Sequence, residues 1–232
     1  CSSVTQADIA CRANAALMLV IKSLQKVSYV TPDVFFKLFD AQIQPMLLYG
    51  SEVWGMDECQ AIESIHLRGL KSFLNVSPRT PNEMVYGETG RFPLYINAQI
   101  RGIKYWLKVL SMDENRLPKR VYKMLMRCPD NDKLWTTKIK RILFECDFDY
   151  VWIEQRVNNR HEFIKLLRNK LTQKFYDLWE RRLSNSSRYS FYNLFKEQCE
   201  VEQYLYVLDR KVFRDVYIRF RMGITEFYSQ KS

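Results

Sequence analysis

The sequence predicts an all-α protein, a multi-helix bundle followed by a second, basic helical region. Three observations carry this. Apolar residues make up 47% of the 232 residues and aromatics 14%, enough for a core and too much for a disordered chain. Gly and Pro number seven each, too few for the turns of a many-stranded sandwich. The apolar positions recur every three to four residues, the helical period.

A first helix is expected over residues 6–28, with Ile9, Ala13, Leu17, Val20 and Leu24 in register. Thr31-Pro32-Asp33 supplies a cap, a first-turn proline and an early acid, and opens a second helix. Pro45 should kink or end it. Tyr49 leads into Gly50, and Gly55 closes this aromatic turn after Trp54. A third helix is expected over 58–74. Thr80 with Glu83 forms a capping-box pattern, with Pro81 at the first helical position. The short helix it starts should stop before Gly87-Glu88-Thr89-Gly90, expected as a turn. Leu94, Ile96, Ile100, Ile103, Trp106, Leu107 and Leu110 mark a helix over 93–110. Further helices are expected at 117–127, 133–146, 149–157, 160–184, 188–198 and 201–222, with breaks at 113–116, 128–132 and 185–187. The chain divides on this pattern into 1–111 and 112–232.

The longest apolar run, Ala15 to Ile21, falls far short of the roughly 18 residues that a membrane span needs, so no membrane partner is expected. Six scattered cysteines without a Cys-x-x-Cys pair, and two histidines, argue against a zinc site or a disulfide framework. Free thiols suit a reducing compartment, nucleus or cytoplasm. Cys1 in place of an initiating Met, and the polar Ser229–Ser232 tail, lead to the expectation of a fragment or processed product. Residues 1–90 carry 7 Lys and Arg against 9 Asp and Glu, and residues 91–232 carry 29 against 17. The second part therefore suits a polyanionic partner, or is a solvated helical surface rich in Lys and Arg.

Four blocks in order resemble one family. Ile43-Gln44-Pro45-Met46-Leu47-Leu48-Tyr49-Gly50-Ser51-Glu52-Val53-Trp54 is similar to the V-x-P-x-L-L-Y-G-x-E-x-W segment that follows the palm of LINE-type (non-LTR) retrotransposon reverse transcriptases. Ile62-Glu63 with His66 to Leu74 resembles the family's next helix, and Asn75 to Asn82 its V-x-x-x-T-P-N turn. Tyr86-Gly87-Glu88-Thr89-Gly90-Arg91-Phe92-Pro93-Leu94 resembles Y-G-E-L-G-R-x-P-L, departing at Thr89. Arg101 to Leu110 resembles the R-x-x-K/R-F/Y-W helix. The match covers roughly residues 7–111. Val212 to Phe227, with Arg219-Phe220-Arg221-Met222-Gly223, more loosely resembles the stretch before the family's zinc motif, which this sequence lacks. The resemblance implies a thumb-like domain over 1–111 and a basic linker over 112–232. Its implied partners are element RNA, RNA–DNA duplex, target DNA and the parent's palm domain. No Asp-Asp pair occurs in the sequence, so the palm's Tyr/Phe-x-Asp-Asp element is absent, and the Mg2+ of polymerisation would belong to that palm. No catalytic residue, cofactor or metal ligand is assigned to this chain.

Nucleic-acid contact is the function that the residues themselves leave open. Arg101, Lys104 and Lys108 fall at i, i+3 and i+7, on one face of a helix. Arg210, Arg214, Tyr217 and Arg221 are expected to share a face of the last helix, with Val212, Phe213, Val216 and Phe220 packed elsewhere. Arg91 could reach a phosphate from its loop. Lys165, Arg168 and Thr172 form a weaker stripe. Ordinary amphipathic helices are the alternative for each. Tyr49, Trp54 and Phe92 are expected to pack loops onto the core, with base stacking as the alternative. Asp147-x-Asp149 is expected to cap helices. A helical protein-interaction module is the rival from another class; a separate enzyme finds no constellation of residues to support it.

Overall fold

A computed structural model describes residues 2–27, 29–128 and 131–223. Cys1, Ser28, Pro129-Asp130, the Ser229–Ser232 tail and the end of the Val212–Phe227 stretch lie outside these residues. The helices are α1 (Ser2–Leu24), α2 (Pro32–Leu38), α3 (Gln44–Leu47), α4 (Ser51–Trp54), α5 (Gln60–Leu74), α6 (Asn82–Thr89) and α7 (Leu94–Leu110). They continue with α8 (Leu117–Arg127), α9 (Trp135–Glu145), α10 (Asp149–Glu154), α11 (Arg160–Ser184), α12 (Tyr204–Val207) and α13 (Lys211–Arg221). Among the described residues no strand forms, and the β pairing is an isolated bridge between Thr89 and Val201. The all-α class stands.

The Thr31 cap forms as the sequence indicates: its side chain accepts from the Val34 N–H. Pro45 neither ends nor visibly breaks the run. A π-helical turn, Phe39–Ile43, precedes it and leads into α3. The wider turn accommodates the missing proline N–H and its bulky ring. The capping box does not form. Helix α6 starts at Asn82, with Pro81 at the cap position and no side-chain cap bond. Glu83 instead accepts from Arg182 and Tyr189. The helix then runs through Gly87 to Thr89 and ends at Gly90, whose φ of +61° is left-handed. The expected helix at 188–198 is two short 3-10 turns, Ser187–Tyr189 and Tyr192–Leu194. The expected helix at 201–222 breaks at 208–210 into α12 and α13.

The chain forms two compact units that do not follow the 111/112 division. The first comprises residues 1–6, 48–63 and 93–174; the second comprises 7–47, 64–92 and 175–232. Each carries 18 Lys and Arg against 13 Asp and Glu. The imbalance between the two ends of the sequence therefore does not persist in space.

In the first unit α7 is the central element. Leu94, Ile96, Ile100, Ile103, Trp106 and Leu107 are all buried. Gly102 permits a close approach, because a Cβ there would lie 1.6 Å from the Met56 methyl. Trp106 stacks on Trp152 with centroids 5.7 Å apart and donates to Tyr122 Oη at 3.3 Å. The free backbone groups at the two ends of α7 find partners. Glu63 accepts from the Leu94 N–H at 2.8 Å. Lys119 and Arg160 donate to the carbonyls of Leu110 and Leu107.

The second unit packs Phe35, Phe36 and Phe39 of its first segment with Phe73 of α5, Phe35 and Phe73 stacking at 4.7 Å. His66 is fully buried against Phe39 and Tyr86. Phe175, Trp179 and Tyr192 cover α6, and Trp179 donates to the Glu83 carbonyl.

Candidate nucleic-acid interface

On α7 the buried apolar face leaves a polar one, which carries the three basic residues read from the sequence. Lys104 and Lys108 are exposed, and no carboxylate pairs with either among the described residues. Arg101 is half-buried and donates Nη1 to the Leu48 carbonyl at 3.0 Å. Its stem is thus tied to the chain before α4, while the two lysines remain open to solvent. Arg168 of the weaker stripe is exposed and bonds Asn97 at the start of α7, at 2.9 Å.

Arg91 is engaged within the second unit. It meets Asp40 through both terminal nitrogens, one at 2.9 Å, and its guanidinium lies 5.1 Å from the Phe36 ring centroid. A planar fork against a carboxylate is a bidentate pair, stronger than a single contact. The arrangement gives Arg91 a folding role, fixing the chain between α6 and α7 against the π turn.

On α13 the four residues expected to share one face are split. Arg214 and Arg221 are each only 5% exposed, and Ile218 between them is fully buried. Arg221 donates Nε and Nη2 to Glu88 at 3.1–3.3 Å and reaches Glu202 at 3.0 Å. Glu88 has no exposed surface and also accepts from Tyr204. Lys196 pairs with Glu202 and the Glu200 carbonyl, closing an alternating network of charge. Burial opposes the Arg221 charge, but the two carboxylates outweigh it and hold the guanidinium above its usual range. Burial and the Glu88 charge push the Tyr204 phenol up strongly, so it is a fixed donor. Two arginines read as phosphate ligands thus face the protein: Arg221 because the buried Glu88 needs a counter-charge, and Arg214 with a backbone carbonyl and no carboxylate among the described residues. Arg210 and Tyr217 remain exposed, Arg210 over Phe213 and Tyr217 against Tyr204. Val212, Phe213 and Val216, expected to pack elsewhere, are exposed, Phe213 and Val216 to 56% and 62%; Phe220 is half-exposed and packs edge-on against Phe191.

The aromatics separate similarly. Phe92 packs edge-on against Phe175 and Tyr176, and Trp54 donates to the Tyr49 carbonyl. The Tyr49 ring is 75% exposed and packs no core. Asp147 caps no helix: it sits at φ +63° and accepts from Lys170. Its pKa lies below the usual range because of that bond. Asp149 stands in the first turn of α10.

Among the described residues no three His, Cys, Asp or Glu side chains gather into a metal-binding group, and no helix is long and apolar enough to cross a membrane. The chain has no match among protein-family models, curated proteins or solved structures. Sequence reasoning missed Glu88, the centre of the buried network. The signal lay in an acid between Gly87 and Gly90, directly after the apolar Met84-Val85-Tyr86 run.

Proposed function

We propose that this chain is the helical, nucleic-acid-binding region that follows the palm of a LINE-type reverse transcriptase. In this reading it contacts template RNA, RNA–DNA duplex and target DNA, in nucleus and cytoplasm, without performing polymerisation itself. The catalytic carboxylates and their Mg2+ would lie in the palm of the parent protein. The observation that carries it is α7. The helix lies within the family-like blocks, is anchored at both ends and along its apolar face, and presents Lys104 and Lys108 to solvent with no carboxylate partner among the described residues. A rigid helix with a basic face suits a phosphate backbone, and each neutralised phosphate releases a counterion. Fluorescence anisotropy with an RNA–DNA duplex tests this, across salt from about 50 to 200 mM. Affinity should fall steeply with salt. Lys104→Glu with Lys108→Glu should weaken binding and flatten the log–log salt slope by about 2, with the melting temperature unchanged. Binding indifferent to salt would sink the proposal.

The second reading is a helical protein-interaction module. It is favoured by the exposed apolar residues of α13, and by Leu117, Val121 and Met124 at i, i+4 and i+7 on α8. Retention of a protein partner, with no RNA binding at low salt, would support it over the first.

A further inference from the structure

The second unit contains a cavity of about 310 Å3 that the proposed function does not use. Leu24, Val30, Phe35 and Phe73 give it an apolar wall. Lys71, Lys211 and Arg214 also line it, and no carboxylate does. Arg214 is the anomaly. It is as buried as Arg221 but lacks a carboxylate partner among the described residues. Nη1 donates to the Val30 carbonyl at 3.1 Å, and the rings of Tyr29 and Phe73 lie 5.7 and 5.4 Å from the guanidinium carbon. Nε has no acceptor among the described residues. The neighbouring Asp215 accepts from Asn75 through Oδ2 at 2.6 Å, and its buried Oδ1 has no donor among the described residues. Lys71 uses one N–H on the Pro78 carbonyl, at 2.9 Å. Lys211 is exposed. A buried guanidinium is costly without a counter-charge, and the volume is that of a small-molecule pocket.

We infer that this cavity binds a phosphate monoester with a compact apolar or aromatic body. The phosphate meets Arg214, with Lys71 and Lys211 in support, and the body rests on the Leu24–Val30–Phe73 wall. A dianion suits three cations better than a carboxylate does, and the planar guanidinium suits phosphate oxygens. The inference stands apart from the α7 proposal, because it uses none of the same residues.

The test is calorimetric titration of the full chain with phenyl phosphate at fixed ionic strength, followed by 31P NMR. One site is expected, with benzoate binding more weakly. Arg214→Gln should weaken phenyl phosphate by about tenfold or more. Lys211→Gln should weaken it by about threefold. Arg188→Gln, the same charge change on an exposed residue that does not line the cavity, should leave it unaltered. If Arg214→Gln fails to fold by circular dichroism, the comparison of Lys211→Gln with Arg188→Gln decides. Absence of phenyl phosphate binding, or equal affinity in the cavity and control variants, overturns the inference. The ester has two possible sources, a small metabolite or the phosphorylated end of a strand. A preference for a 5′-phosphorylated oligoribonucleotide over its 5′-hydroxyl form that depends on Lys211 or Arg214 assigns the strand end. Phenyl phosphate binding without that preference assigns the metabolite. Lys104→Glu/Lys108→Glu should not move phenyl phosphate binding, so failure of the α7 proposal leaves this result readable.

Discussion

Glu88 and Arg221 show what a single charged residue can demand of a fold. The glutamate lies fully buried near the end of α6 and the arginine arrives from α13, so the pair ties together two distant parts of the chain. Removing Arg221 leaves Glu88 buried without its counter-charge, and removing Glu88 leaves Arg221 only Glu202, a loss on the order of 3–5 kcal/mol for the stranded charge. Glu88→Gln should therefore lower the urea midpoint substantially. Glu88→Leu with Arg221→Met should recover much of the loss, because no charge is then stranded. Additive losses in the two single variants and the double would contradict the pairing. From the sequence Arg221 looked like a solvent-facing cation, because the helical period alone does not say which side of a helix meets the core.

At the scale of elements, short polar links set the boundaries that periodicity left open. Asp57, just before α5, accepts from Lys138 and Arg141 of α9. Burial raises its pKa, but the bonds and charges of those two cations more than offset this and hold it below the usual carboxylate range. A carboxylate with a depressed folded pKa adds stability that is present above its unfolded value and lost as pH falls through its folded value. Thermal stability should therefore decline as pH drops below about 4, and Asp57→Asn should reduce that part of the acid sensitivity. An identical pH profile in the variant would count against the link. Helices at 117–127 and 160–184 were readable to the residue, since proline at one start and apolar period in both were strong. The region 188–198 was not. Tyr189 and Tyr192 are buried there, but their hydroxyls reach Glu83 and the Met84 carbonyl, and those tertiary bonds outweigh local helical preference.

At the scale of the whole molecule, neither unit is a continuous stretch of sequence. Residues 48–63 belong with 93–174, and residues 7–47 and 64–92 belong with 175–232. A cut at 111/112 removes most of the first unit's core from α7, and takes Arg221 and Tyr192 from α6. Residues 1–111 and 112–232, expressed separately, should each lack a cooperative thermal transition and disperse poorly in NMR spectra. Mixing them should restore structure if the chains find each other. A sharp independent transition in either piece would contradict the interleaved division.

The sequence by itself determined the helical class, most helix positions, the Thr31 cap and the basic face of α7. Each follows from period, proline placement or charge spacing, which are local properties. The tertiary structure alone decided that Arg91, Arg214 and Arg221 face inward while Val212, Phe213 and Val216 face water. It also joined the α6 glutamate to α13 and left Arg214 beside a cavity without a carboxylate. For Arg91, Glu88 and Arg221 the physical reason is shared. A charge is placed by the partner that relieves its burial, and that partner lies far away in sequence.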